Sequence, residues 1–195
     1  GLAGNWVFSI QFDENDNAWI ATGGGLSYYN GKKFTNYRTE QGLLVNRTNC
    51  AYYSKRYKTL FVGNELGMNT LSNGRVEELI FKEFTNTTIL SINPYRDSLL
   101  LIGSGGSGFA VYDPIKKTSR LITTHDGMAS DFIYFIASDD QDVIWVGTEK
   151  GISRVVLDKK LNITENIHFD HENGLSGVET NQNAFSLKGD AKVFG

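Results

Sequence analysis

A run of acidic and amide side chains at residues 13–17 has the composition of a calcium-binding loop. Calcium prefers oxygen ligands, which carboxylates and amides at alternating loop positions supply. The run lacks the rest of the pattern, because Ala18 stands where a glycine is needed and Gly24 stands where a distal glutamate is needed. A similar acidic run occurs at residues 138–142. We therefore predict polar turns at both places and no metal site.

The glycine-rich segment at residues 103–108 resembles a phosphate-binding loop. A phosphate cradle needs a helix that begins directly after the glycines, whereas an apolar segment with strand character follows here, which predicts a turn. His168 and His171 are three residues apart, and on a strand this spacing places them on opposite faces and disfavours a shared metal. No serine, cysteine or carboxylate pair is arranged as a nucleophile with its base. We expect no cofactor and no catalytic activity.

These polar segments belong to an internal repeat. A strand-like segment followed by a glycine and an apolar residue recurs four times, at intervals of 42, 41 and 43 residues between the glycines. Repeats of about 40 to 50 residues are typical of propellers and stacked arrays, because one copy cannot bury its apolar face alone. The four glycine-containing pairs are Gly25-Leu26, Gly67-Met68, Gly108-Phe109 and Gly151-Ile152.

Each repeat has the pattern of four short strands, which we call a, b, c and d. In the first repeat they are predicted at residues 6–12, 18–22, 26–29 and 34–38, with alternating apolar residues in strand a. The dipeptides Asn30-Gly31 and Asn73-Gly74 predict hairpins between c and d, because both residue types tolerate positive φ. No segment has a helical apolar period. The fold class is therefore all-β, and the single cysteine, Cys50, falls in an apolar strand column and is predicted to be buried.

The repeat divides residues 1–195 into four complete four-stranded units and the start of a fifth. The predicted bounds are 5–43, 44–84, 85–128, 129–175 and, for the incomplete unit, 176–195. We interpret the chain as a partial β-propeller cut from a longer protein. Because the outward sides of its first and last blades would be uncovered, we expect a homo-oligomer that joins through these open sides.

Composition excludes several other classes. The formal net charge of −3 provides no basic field, so nucleic acid is not an expected partner. No stretch approaches the roughly 18 consecutive apolar residues of a membrane helix, and we expect this segment to be soluble.

The units resemble the regulator-propeller repeat of bacterial two-component sensors. The resemblance is carried by residues 145–154 (Trp-Val-Gly-Thr-Glu-Lys-Gly-Ile-Ser-Arg), by residues 19–29, and by the closing pairs Gly42-Leu43, Gly127-Met128 and Gly174-Leu175. The second unit departs from the pattern because it lacks a closing Gly-Leu, and the third because Leu101 replaces the tryptophan. The resemblance implies the periplasmic sensor region of a hybrid histidine kinase of a Bacteroidetes-like bacterium. Such a parent protein would be membrane-anchored and would detect glycan fragments.

In a propeller, the loops from strand d to the next strand a and the turns from b to c lie at the same end of the blades, which makes their polar residues candidates for binding an oligosaccharide. Tyr28 or Tyr134 would offer a stacking face for a sugar ring. The candidate contact residues are Arg47, Asn49, Asn64, Glu65, His125, Asp126, Asp131, Glu149, Lys150, His171, Glu172 and Glu179, with Glu40 and Gln41 beside them. Two alternatives remain open: a scaffold that docks another protein without a small ligand, and a propeller enzyme such as an antibiotic lyase.

Overall fold

The structure, a computed structural model, is all-β and consists of antiparallel sheets. It describes residues 1–173, 175, 180–182, 184–188 and 191–194, with residues 187, 188 and 191–194 described by their backbone alone. Four sheets have four strands each, and a fifth has two. We call each four-stranded sheet a blade. No helix in this part of the chain is long and apolar enough to cross a membrane.

The strands follow one another within each blade in chain order. Blade 1 contains β1 (Val7–Phe12), β2 (Ala18–Thr22), β3 (Gly25–Tyr29) and β4 (Phe34–Tyr37). Blade 2 contains β5 (Thr48–Ser54), β6 (Thr59–Asn64), β7 (Gly67–Ser72) and β8 (Arg75–Leu79). Blade 3 contains β9 (Ile89–Tyr95), β10 (Leu99–Ser104), β11 (Phe109–Asp113) and β12 (Thr118–Ile122). Blade 4 contains β13 (Ile133–Ser138), β14 (Ile144–Thr148), β15 (Gly151–Leu157) and β16 (Ile163–Phe169), and the two-stranded sheet contains β17 (Phe185–Lys188) and β18 (Ala191–Phe194).

The predicted all-β fold class and four-stranded units are confirmed. In blade 1 strand b has the predicted bounds, and strands a, c and d differ from prediction by one residue at one end each. The start of a fifth unit is present as the β17–β18 pair. Short 3-10 turns in the loops after strand d, at Thr39–Gln41, Thr124–Asp126 and His171–Asn173, were not predicted, because three residues are too few to give an apolar period.

The chain divides into two compact units, Gly1–Ile92 and Asn93–Gly195. The core of the first unit lies between blades 1 and 2, where Trp19 and Leu26 pack against Leu60 and Val62. All four side chains are nearly or fully buried. Burial at about 25 cal/mol per Å² of apolar surface is the main favourable term that holds such sheets face to face.

The core of the second unit lies between blades 3 and 4. Leu101 and Val111 of blade 3 share one apolar cluster with Ile144 and Val146 of blade 4, and all four are buried. Alternate residues of each central strand therefore face the adjoining blade, as the period of two in the sequence predicts.

The residue that ends strand b closes the b–c turn with its side chain. In blade 4 the Thr148 hydroxyl donates to the Gly151 carbonyl at 3.1 Å and accepts from the Lys150 N–H at 3.0 Å. In blade 1 the Thr22 hydroxyl donates to the Gly25 carbonyl at 2.6 Å. Both threonines are fully buried. These bonds explain why a hydroxyl residue precedes each of these turns.

The acidic runs are turns, as predicted. Asp13 Oδ1 accepts from the N–H groups of Asn15 and Asn17, and Asp139 Oδ1 accepts from those of Gln141 and Val143. An aspartate that bonds the backbone of its own turn in this way is a turn former. The glycine-rich segment is likewise the connection between β10 and β11, again as predicted.

One face of blade 1 is rich in exposed apolar side chains. Ile10 and Phe12 of β1 are 51% and 61% exposed. The register places Ile10 opposite Ile20 and Phe12 opposite Ala18, on the opposite face from Trp19. Strand a of the first repeat therefore alternates apolar and polar residues as predicted, but its apolar residues Ile10 and Phe12 are exposed and not buried.

Candidate ligand-binding face

Loops after strand d and turns between b and c meet at the same end of each blade. In the first unit Arg47, in a d–a loop, forms an ion pair with Glu65, in a b–c turn, with 3.5 Å between Nη1 and Oε1. In the second unit the Ser130 hydroxyl, in a d–a loop, donates to Glu149 Oε1, in a b–c turn, at 2.6 Å. In each unit a side chain of a d–a loop therefore binds a glutamate of a b–c turn, and we call this end of each unit its loop face.

Arg47 has two further partners in the first unit. Its Nε donates to Asn49 Oδ1 at 3.3 Å, and its guanidinium carbon lies 4.9 Å from the centre of the Phe8 ring. The Arg47 and Glu65 side chains are both 43% exposed. At such exposure the ion pair contributes only about 0–1 kcal/mol, which leaves both charges accessible to a ligand.

Asn49 and Asn64 were predicted as contact residues, but the structure buries them at 1% and 0% exposure. The Asn49 amide donates to the Ile89 carbonyl at 3.2 Å, and the Asn64 amide donates to Asn69 Oδ1 at 3.1 Å. Buried amides keep such bonds because an unmade hydrogen bond is costly in the interior. Both side chains therefore hold loops within the protein, and we leave them out of the contact set proposed below.

The second unit brings three predicted residues together on the loop face: Asp131, Glu149 and Lys150. Lys150 is exposed, and its Nζ donates to the Ala129 carbonyl at 3.1 Å. Glu149 Oε1 accepts from Ser130, whereas the Glu149 Oε2 atom is shielded from solvent and has no hydrogen-bond partner among the residues that the structure describes. Because Oε2 is not accessible, Glu149 shapes this face through its bond with Ser130, and the Lys150 ammonium is the exposed charge.

Asp131 lies beside an aromatic pair. Its carboxylate accepts from the backbone N–H of Thr124 at 2.7 Å and from the Thr124 hydroxyl at 3.0 Å. The next residue, Phe132, is 38% exposed, and its ring centre lies 5.0 Å from that of Tyr134. Phe132 also forms a β-bridge with Gly105 of the glycine-rich turn. An exposed ring next to fixed carboxylates is an arrangement that can stack a sugar and bond its hydroxyls.

His125 and Asp126 lie in the 3-10 turn Thr124–Asp126. The His125 side chain is exposed, whereas that of Asp126 is half-buried. Asp126 accepts from Arg120 at 2.6 Å and from the Thr123 N–H at 2.9 Å. Burial alone would raise the pKa of Asp126, but the Arg120 guanidinium and the Thr123 donors hold the pKa of its carboxyl below the usual value. Asp126 therefore caps its own turn.

The last predicted residues lie near the C-terminal end. His171 and Glu172 are exposed in the 3-10 turn His171–Asn173, whereas Glu179 lies outside the described residues. His168 Nδ1 lies 3.2 Å from the fully buried Ser153 hydroxyl, and its Nε2 lies 3.0 Å from the Lys150 carbonyl. A serine without solvent access cannot reach a substrate, so this pair is structural. Among the residues that the structure describes, no group of three histidine, cysteine or acidic side chains could hold a metal.

Sequence reasoning missed Ser130 and Phe132, and it misplaced Tyr28. Tyr28 packs on Trp19 with 4.5 Å between ring centres, away from the b–c turn, because the register pairs these two residues at the far end of β2. Phe132 was missed because the position just before strand a is not apolar in every repeat: Arg47 and Thr88 occupy it in blades 2 and 3. Its offset from Tyr134, two residues on the same side of an extended segment, was the available signal.

Comparison with known proteins agrees with the repeat. Residues 1–24 match the two component regulator propeller family. The resemblance to regulator-propeller repeats is thus confirmed. No curated protein sequence matches the chain significantly.

Solved structures share the fold at low sequence identity. The extracellular domain of a protein named as the hybrid two component system BT3049 from B. thetaiotaomicron has a TM-score of 0.76 and 19% identity, over 93% of this chain and 24% of that one. For BT4673, of the same kind and organism, the values are 0.72 and 22%, over 86% and 22%. Virginiamycin B lyase from Staphylococcus aureus has a TM-score of 0.67 and 11% identity, over 85% of this chain and 55% of the lyase. Solved β-propellers are also among the matches, and the blades described above are β-propeller blades.

The chain spans less than a quarter of the length of the two matched extracellular domains.

Proposed function

We propose that this chain is part of the extracytoplasmic sensor region of a hybrid two-component system and recognises a glycan fragment at its loop face. The observation that carries the proposal is that one d–a loop carries the exposed ring of Phe132 directly after Asp131, while its residues 129 and 130 bind Lys150 and Glu149 of the b–c turn. The family match at residues 1–24 and the fold shared with two extracellular sensor domains support the sensor role.

The chemistry of this cluster suits a sugar. Sugar hydroxyls both donate and accept, so they can accept from the exposed Lys150 ammonium and donate to the Asp131 carboxylate, whose oxygens each retain a further lone pair. The Phe132 ring offers a flat apolar surface to the C–H groups of a pyranose. In the first unit, taken by itself, Arg47 and Glu65 form the corresponding charged pair.

The location follows from the same proposal. A sensor region of this kind lies in the periplasm, and its parent protein is anchored in the inner membrane and carries a histidine kinase. The shared fold with domains named as extracellular supports an extracytoplasmic place for this chain.

The proposed segment is non-catalytic. The candidate carboxylates on the loop face bond protein donors, and the serine–histidine pair of blade 4 is buried on its serine side. The fold itself decides nothing here, because propellers serve both as enzymes and as binding modules and one matched structure is a lyase. Incubation with glycans should give no product above background, and turnover that a single substitution abolishes would contradict this proposal.

Calorimetric titration of the chain with cello-, xylo-, manno- and chondroitin-derived oligosaccharides tests glycan recognition. We expect at least one saccharide to bind with a dissociation constant below about 1 mM, which corresponds to about −4 kcal/mol. Uniform failure of neutral and acidic saccharides would contradict glycan recognition by this segment.

A scaffold without a small ligand is the second candidate function. It is favoured by the apolar face of blade 1, where Ile10 and Phe12 are more than half exposed. Soluble monomers rarely expose large contiguous apolar patches unless a partner covers them. Protein association without saccharide binding would support the scaffold over the sensor.

A further inference from the structure

The second unit has a cavity at the end of its blades that is opposite to the loop face. It has a volume of about 210 Å³ and is lined by residues of blades 3 and 4. Its rim is formed by the a–b turn of blade 3 and by the c–d turns of blades 3 and 4, in which Arg96, Lys116 and Lys159 lie. None of these residues contributes to the glycan site proposed above. We call this cavity the basic groove.

The charge of the groove is opposite to that of the chain. Four cationic side chains line it, whereas Asp113 is its one acidic lining residue, and the chain carries a formal net charge of −3. The cationic lining residues are Arg96, Lys116, Arg120 and Lys159, of which Arg120 is paired with Asp126. A concave surface with an excess of one sign of charge concentrates ions of the other sign.

Arg96 is held in place mainly by neutral groups. Its Nη2 donates to the Leu157 carbonyl at 2.8 Å and to the Asp158 carbonyl at 3.3 Å, and its guanidinium carbon lies 4.7 Å from the centre of the Tyr95 ring. Its acidic partner, Asp142, is 3.7 Å from Nε and 54% exposed, so this pair is weak. Much of the Arg96 charge therefore remains available, on a guanidinium that is already fixed in position.

The two lysines supply mobile charges. Lys159 is exposed and forms no ion pair with another described residue. Lys116 pairs with Asp113 at 3.3 Å, but its side chain is 76% exposed. The Asp113 carboxylate also accepts from the N–H groups of Ile115 and Lys116, which keeps it bound to its own turn.

The rest of the lining suits an organic anion. Thr118 and Ser119 bring hydroxyl groups to the groove, and Leu99, Val111 and Leu161 bring apolar carbon. Oxyanions are bound in proteins by guanidinium and ammonium donors with hydroxyl groups beside them. A fixed arginine, two lysines and hydroxyls around a small apolar floor match that chemistry.

We propose that the basic groove between the a–b and c–d turns of blades 3 and 4 binds a small ligand that bears a carboxylate, sulfate or phosphate group. The group contacts Arg96, Lys116 and Lys159, and the remainder of the ligand rests on Leu99 and Leu161. The proposal is independent of glycan recognition at the loop face.

Titration of the chain with sodium sulfate, sodium phosphate and sodium glucuronate, each against sodium chloride at equal ionic strength, tests the proposal. The test variant is Lys116→Gln with Lys159→Gln, and the matched control is Lys32→Gln with Lys33→Gln, in the c–d turn of blade 1. We expect the three oxyanions to bind the wild type and the control equally. We expect the test variant to lose at least about tenfold in affinity, or about 1.4 kcal/mol.

The three arms show which oxyanion the groove prefers. Because all four lysines are exposed, the melting temperatures of both double variants should stay at the wild-type value. Equal binding of chloride and the oxyanions would overturn the proposal, as would equal affinities of the test and control variants. An effect of the same size on the binding of the neutral saccharides would also contradict it, because the two sites would then not be independent.

Discussion

Aspartate and tryptophan are coupled in the a–b turn of blade 4 but not in blade 1. Trp145 Nε1 donates to Asp139 Oδ2 at 3.1 Å, whereas in blade 1 the equivalent Asp13 Oδ2 accepts from the Asn17 amide, and the buried Trp19 Nε1 has no partner in the described part of the chain. Trp19 is stabilised by packing instead, since its ring contacts Tyr28 and Tyr37. The same residue pair in two repeats therefore contributes in different ways.

Trp19→Ala should destabilise the chain by about 3–5 kcal/mol, because it empties the middle of the apolar core between blades 1 and 2. The matched control is Trp6→Ala, whose ring is 73% exposed and should change the free energy of unfolding by no more than about 0.5 kcal/mol. Urea unfolding followed by circular dichroism measures both. Equal effects of the two substitutions would contradict the assignment of the core face.

Cys50 should be unreactive in the folded chain. It is 2% exposed and lies next to Gly63, where a Cβ would come within 2.6 Å of its sulfur. Burial raises the pKa of its thiol from 9.0 to about 12. We expect no reaction with a thiol reagent at pH 8 and complete reaction in denaturant.

The sign of the pH effect follows from this shift. Because the folded-state pKa lies above the unfolded value of 9.0, the buried neutral thiol contributes stability below pH 9 and loses it as the pH rises towards about 12. A thiol that reacts in the native chain as fast as in denaturant would show that this strand is not buried.

At the level of elements, the b–c turn determines where the loop-face residues lie. Thr148, at the end of β14, bonds both the Lys150 N–H and the Gly151 carbonyl, and it also accepts from Thr180 through its own carbonyl. Glu149 and Lys150 are carried between these fixed points. The position of the candidate site thus depends on a buried threonine that no ligand touches.

Thr148→Val should cost about 1–3 kcal/mol of stability, because it leaves a buried N–H and a buried carbonyl without this partner. It should also weaken saccharide binding, since Glu149 and Lys150 lose their anchor. Thr35→Val, on the exposed strand β4, is the control and should change neither property. Thermal melting and calorimetry on the same samples check both effects. Unchanged saccharide affinity in a destabilised Thr148→Val variant would show that the ligand-binding site does not depend on this turn.

The strands could be predicted from the sequence because each repeat combines a period of two with glycine-containing turns, and four copies confirm one another. The site could be predicted only as a set of loops. Loop membership does not tell which polar side chains point inward, so Asn49 and Asn64 were included although backbone carbonyl and amide partners bury them. Phe132 could not be found in this way, because its exposure depends on the d–a loop around Asp131, which has no period.

For the whole molecule, we propose that the apolar face of blade 1 (Ile10, Phe12 and Phe34) binds a second copy of the chain. In blade 2 the corresponding face, which contains Leu60 and Val62, is covered by blade 1. The face of blade 1 has the same strand positions with 37–61% exposure. A sheet face that is buried in one repeat and exposed in another has the composition to be covered by a similar sheet.

Ile10→Ser with Phe12→Ser should make the chain monomeric, whereas the wild type should self-associate at micromolar concentration with a contact of more than about 1,000 Å². Light scattering gives the molar mass and therefore distinguishes the monomer from larger species. The control is Ile115→Ser, because Ile115 is 65% exposed in a c–d turn of blade 3. A wild type that remains at 21.7 kDa would contradict the proposed association.

Glycan recognition at the loop face is the central claim. It is tested most directly by the dissociation constants of two phenylalanine variants for one saccharide. That saccharide is the one of the cello-, xylo-, manno- and chondroitin-derived series that binds the wild type best. Phe132→Ala removes the ring beside Asp131, and Phe34→Ala removes an equally exposed ring from blade 1, at 38% and 37% exposure. We predict that Phe132→Ala weakens binding at least about fivefold, since a stacked ring is worth about 1 kcal/mol or more, and that Phe34→Ala binds like the wild type. Equal affinity of the wild type and Phe132→Ala would contradict the proposed site.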